Sequence, residues 1–126
     1  MYKAGIGYDE PHNAKEMTIN EFRALALSFP ETEESSHMDH PDFRVGGKIF
    51  ATIAPDGERG MAKLTPTQQE TILRIAPKTF EPASGAWGKR GSTMIKLSDA
   101  DEADVRHALN AAWRNTAPPK ILSKYD

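Results

Sequence analysis

The pattern of residues predicts an α+β domain in which an antiparallel sheet packs against N- and C-terminal helices, and three observations carry this. Thr18-Ile19-Asn20-Glu21 has the spacing of a capping box at a helix start. Two alternating apolar runs, His40 to Val45 and Lys48 to Ile53, meet at Gly46-Gly47, as the arms of a hairpin do. Val105, Ala108, Leu109, Ala112 and Trp113 follow the i, i+3, i+4, i+7, i+8 spacing of a helix with one buried face.

The elements follow in order. Residues 1–17 hold glycines, Pro11 and charges without sustained periodicity and read as an N-terminal tail; residues 18–119 form the domain; residues 120–126 read as a C-terminal tail. From Thr18, the stripe Ile19, Phe22, Leu25, Ala26 and Phe29 runs until Pro30 stops the helix. Glu33 to Met38 is a polar strand. The hairpin then has two possible registers. A two-residue turn pairs Val45 with Lys48, whereas a three-residue loop pairs Val45 with Ile49 and gives one consistent apolar face. Pro55-Asp56-Gly57 makes a second reversal before the strand Gly60 to Leu64. Thr65-Pro66-Thr67-Gln68 opens a short helix ending near Ala76-Pro77, with Pro66 at its first position and Gln68 closing the box. Residues 78–92, with Gly85, Gly88 and Gly91, read as an extended loop containing a short strand at Thr79 to Glu81. Thr93 to Leu97 is a strand, Ser98 caps the last helix, and Pro118-Pro119 ends it.

Composition narrows the function classes. A chain of 126 residues suits one domain with a single core. There are no cysteines, which excludes disulfides, thiolate zinc sites and cysteine nucleophiles. No apolar run approaches the ~20 residues of a membrane helix, so a soluble, cytoplasmic protein without a membrane partner is expected. The net charge of −2 argues against a histone-like binder. Its distribution is uneven, however. Residues 1–42 hold three Lys or Arg against nine Asp or Glu, while residues 43–96 hold nine against four. The strand-rich centre is the basic part.

The run from His40 through Ile53, continued by Leu64-Thr65-Pro66, Gly85-Ala86-Trp87-Gly88 and Ala112-Trp113-Arg114-Asn115, resembles the MmcQ/YjbR family over most of residues 18–119. The resemblance implies a compact sheet-and-helix domain similar to bacterial frataxin (CyaY-like), sometimes described as a double-wing DNA-binding arrangement. It implies no established reaction.

Among candidate sites, the basic set Arg44, Lys48, Lys63 and Lys96 comes from the strands, and Lys89 and Arg90 lie in the glycine-rich loop. Strand alternation puts Lys48, Phe50 and Thr52 on one face, as it does Met61 with Lys63 and Met94 with Lys96. A face mixing basic and apolar groups suits phosphates or an acidic partner; lysine stems that protect sheet edges are the plainer explanation. Trp87 admits two readings: an indole that stacks on a ligand, or a plug at the end of the core; His40 is a second candidate ligand contact. The Gly85 to Gly91 loop lacks phosphate-loop spacing. His37 and His40 invite a metal, but on one strand they point to opposite faces and no third ligand is set by spacing, so no metal or other cofactor is expected. Asp99, Asp101, Glu102 and Asp104 suit the positive end of a helix without any iron. No catalytic constellation is visible. The leading expectation is a non-enzymatic protein that binds DNA weakly and without sequence preference through a basic sheet face. The alternative is a small-ligand or protein-interaction module with a pocket near Trp87.

Overall fold

The computed structural model describes residues 16–126. The element order is α1 (Ile19–Leu27), β1 (Thr32–His37), β2 (His40–Val45), β3 (Lys48–Ile53), β4 (Arg59–Lys63), α2 (Pro66–Ile75), β5 (Phe80–Pro82), α3 (Gly85–Lys89), β6 (Ser92–Lys96), α4 (Glu102–Thr116) and α5 (Pro119–Tyr125). Six strands form one antiparallel sheet in the order β1-β2-β3-β4-β6-β5. Helices α1 and α4 pack on one face, and α2 packs on the β5–β6 end. The α+β class and the placement of the first and last long helices agree with the expectation from sequence. The N-terminal tail lies, apart from its last two residues, outside the described residues. Of those two, Met17 is buried and its N–H donates to the Leu97 carbonyl at 2.8 Å.

Both capping boxes form. The Thr18 N–H donates to Glu21 Oε1 at 2.8 Å while the Glu21 N–H donates to Thr18 Oγ1 at 3.0 Å. Thr65 and Gln68 exchange the same two bonds at 2.9 and 3.1 Å. The last helix starts differently from the expectation. Leu97–Asp99 turns once as a 3-10 helix, and Asp101 rather than Ser98 caps α4, its Oδ1 accepting from the Ala103 N–H at 3.0 Å. Residues 120–126, expected as a tail, mostly belong to α5. Lys124 and Tyr125 both donate to Glu31 Oε2 at 3.1 Å, and the Tyr125 ring meets Trp113 edge-on.

The register of the β2–β3 hairpin combines the two expected possibilities. The turn has two residues, Gly46 and Gly47, both at positive φ, and Val45 pairs with Lys48. Arg44 then pairs with Ile49 but Phe43 with Ala51, leaving Phe50 as the extra residue of a β-bulge. The bulge overturns the shared face of Lys48, Phe50 and Thr52. Phe50 and Ala51 are both buried in the core, while Ile49 and Thr52 face the opposite side.

The core lies between that sheet face and the helices. Phe22 meets Phe43 edge-on, and Phe29 meets Phe50 in the same way. Gly60 is needed in β4 because a Cβ there would stand 2.5 Å from the Phe22 ring. Trp113 is 2% exposed and its indole N–H donates to the Pro30 carbonyl at 3.0 Å, tying α4 to the end of the α1 segment. Trp113→Ala would remove the ring from a packed site and leave that carbonyl without its donor. A loss of about 3–5 kcal/mol is expected from urea unfolding; an unchanged midpoint would contradict the assignment of Trp113 to the core.

Candidate functional site: the uncovered sheet face

The sheet face opposite α1 and α4 carries no covering element among the described residues. A groove of about 770 Å³ runs over it, with a floor of Ile49, Thr52, Met61 and Met94. The strand register explains this floor, because Met61 pairs with Thr52 on one side and with Met94 on the other, so these side chains emerge in a row. Two apolar side chains stand at the rims. Met38, 86% exposed, projects from the β1–β2 turn, and Trp87, 63% exposed, projects from α3.

The β1–β2 end corrects the reading of the histidines. Met38 and Asp39 form a two-residue turn with positive φ at both positions, so His37 and His40 are cross-strand partners rather than members of one strand. They share a face, with ring centroids 6.2 Å apart. Both line the groove, and Asp42, 0% exposed, lies against His37. Its carboxylate accepts from Arg44 Nε at 2.8 Å and Nη2 at 3.0 Å, and it lies 2.8 Å from His37 Nδ1. Asp42 thus bonds side chains, not the hairpin backbone. The Arg44 hydrogen bonds hold its carboxyl below the ordinary carboxylate range, with His37 adding to the effect and burial opposing it. No group of three or more metal-ligating side chains clusters among the described residues.

Trp87 sits on an element that the sequence hides. Gly85–Lys89 is a helix of little more than one turn, not an extended loop. Two glycines let its backbone close up: a Cβ on Gly88 would fall 1.8 Å from the Ala83 carbonyl oxygen, and one on Gly91, at φ 113°, would fall 1.9 Å from that of Leu64. Gln69 of α2 fastens the turn, donating through Nε2 to the carbonyls of Gly88 (3.1 Å) and Ser92 (3.0 Å). The indole is therefore held outward, with the Arg90 guanidinium 5.6 Å from its ring centroid. It does not plug the core.

The basic residues divide into two groups. Arg44 is paired with Asp42, and Lys96 lies 3.7 Å from Glu81, which also meets Arg59 at 3.6 Å. Lys48, Lys63, Lys89 and Arg90 make no ion pair among the described residues. Lys48 and Lys63 converge with Arg44 on a smaller hollow of about 470 Å³, whereas Lys89 and Arg90 stand with Trp87 on the α3 side. The hollow's wall includes Asn115, whose role the sequence did not disclose. Its Nδ2 donates to the Lys63 carbonyl at 3.1 Å and to Gln68 Oε1 at 2.7 Å, joining the ends of α4, β4 and α2.

Comparison with known proteins agrees with this architecture. The model of the YjbR family matches residues 27–115. The chain belongs to the YjbR family. A crystal structure of the Deinococcus radiodurans protein DR2400, carrying the family-model domain DUF419, is similar to this YjbR domain with a TM-score of 0.61. The likeness covers 79% of this chain and 77% of that one at 19% identity, which shows a shared fold. No curated protein matches. No helix among the described residues is long and apolar enough to cross a membrane.

Asp42 should be the electrostatic keystone of the β1–β2 end. Because its folded pKa lies below the ordinary 3.8, its contribution is present above that value and is lost as pH falls through the folded pKa. Asp42→Asn is expected to cost about 1–3 kcal/mol near neutral pH and to make the acid limb of the stability curve shallower. Urea unfolding at several pH values reads both effects. Wild-type stability in the variant at neutral pH would contradict the role.

Proposed function

We propose that this YjbR domain is a non-enzymatic binding module and that the groove on its uncovered sheet face takes a small ligand with an apolar body. One observation carries the reading. A mostly apolar floor, Ile49, Met61 and Met94 with Thr52 among them, faces outward on a sheet whose opposite face already holds the core, between the exposed Met38 and Trp87. Burying such a floor under a ligand contributes about 25 cal/mol per Å² of apolar area. A few polar groups at the ends of a mostly apolar concavity are the usual composition of a ligand site.

A second reading is nucleic-acid binding, favoured by Lys48, Lys63, Lys89 and Arg90, which make no ion pair among the described residues, and by the outward Trp87, on which a base can stack. Against it, Asp42 and Glu81 answer the charge of Arg44 and Lys96, so the basic strip is interrupted.

The two readings separate in one set of titrations on wild type and Trp87→Ala. The amphiphilic reporter 1-anilinonaphthalene-8-sulfonate, an apolar ring body with one sulfonate, should bind native wild type saturably and the variant several-fold more weakly. The unfolding free energy from urea titration should stay within about 0.5 kcal/mol of wild type, as for a surface change. A DNA oligonucleotide bound instead, with a log–log salt slope of about −3.6 for four phosphate contacts, would favour the second reading. Reporter binding indifferent to Trp87 would contradict the first.

A further inference from the structure

The groove is not chemically uniform along its length. Its floor residue Ile49 and its wall residue Lys63 also line the smaller hollow, so the two spaces adjoin. The hollow is bounded by Arg44, Lys48, Lys63 and Thr116 and contains no carboxylate in its lining. Arg44 spends Nε and Nη2 on Asp42, which fixes its guanidinium without using Nη1. Glu33, its cross-strand neighbour, adds one negative charge nearby. Lys48 and Lys63 leave the hollow cationic, on flexible stems that can close on an anion.

We propose that the ligand of this face is an anionic amphiphile, a chain or ring whose apolar body lies over Ile49, Met61 and Met94 and whose acidic head enters the hollow between Arg44, Lys48 and Lys63. This rests on the groove reading above. The occupant follows from charge complementarity: an apolar strip that ends at Lys48 and Lys63, which make no ion pair among the described residues, matches a molecule that is apolar along its body and negative at one end. A neutral amphiphile would leave the cations unanswered. A polyanion would leave the apolar floor unmatched. The head is a carboxylate or a phosphate monoester, both of which can accept from Arg44 Nη1 and from the two ammonium groups.

Isothermal titration calorimetry with octanoate, octyl phosphate and 1-octanol tests this on wild type and on the double variant Lys48→Gln/Lys63→Gln. The two acids should bind wild type about tenfold more tightly than the alcohol, a preference of about 1.4 kcal/mol. The double variant should lose that preference and keep its affinity for the alcohol, which also shows that it remains folded. Whichever acid shows the larger preference identifies the head group. Equal binding of acids and alcohol to wild type, or an acid preference that survives in the double variant, overturns the cationic end while leaving the groove. If none of the three ligands binds wild type, the groove reading falls with it.

Discussion

The β-bulge at Phe50 decides what each face of the sheet does. With a strict two-residue hairpin and unbroken alternation, Phe50 would pair with the buried Phe43, and Ala51 and Ile53 would stand with Ile49 on the uncovered side, lost to the core. The extra residue shifts the pairing between Phe43 and Arg44, so that Phe50 and Ala51 both enter the core and Phe50 meets Phe29. The same shift turns Thr52 outward into line with Ile49, Met61 and Met94. A single unpaired residue thus supplies both a core contact and a groove floor. Glycines complete the arrangement by allowing close approach, Gly60 against the Phe22 ring and Gly88 and Gly91 against backbone carbonyls around Trp87.

Much of the fold was legible because its signals are local. Capping boxes at Thr18 and Thr65, the Gly46-Gly47 turn and the stripe ending at Trp113 each need only a few neighbouring residues to be understood. What escaped depends on pairing or on distant contacts. Alternation alone cannot announce a bulge, since the extra residue is defined by the partner strand. His37 and His40 look like two positions of one strand until the Met38-Asp39 turn makes them partners. The α3 turn has too few residues for periodicity, and it is held by Gln69 from another helix. Asn115 had no readable role for the same reason, as its partners lie on β4 and α2. At the α4 start, the expected cap Ser98 falls inside the 3-10 turn Leu97–Asp99, which is held by the buried Leu97 and Ala100, and the cap passes to Asp101.

The site was half legible. Composition showed that the centre of the chain is basic, and it proposed the residues that lie around the uncovered face. It could not show how their charge is balanced. The buried Asp42 answers Arg44 and fixes its orientation, and Glu81 stands between Arg59 and Lys96. Desolvated or shared carboxylates of this kind turn a basic segment into a surface with one cationic end and an apolar middle. That pattern gives direction to anything lying in the groove, whereas a uniform basic strip would not.

The methionines offer the most direct test of the claim that the uncovered face is the binding surface. Met38, Met61 and Met94 line the groove, and Met17 is buried in the core on the other side of the sheet. A titration of protein labelled with carbon-13 at the methionine methyls, followed by NMR with octanoate as the probe, therefore carries its own internal control. The account predicts that the Met38, Met61 and Met94 signals move together along one saturating curve while Met17 holds its position. Movement centred on Met17, or saturation with the three groove signals unmoved, would contradict it.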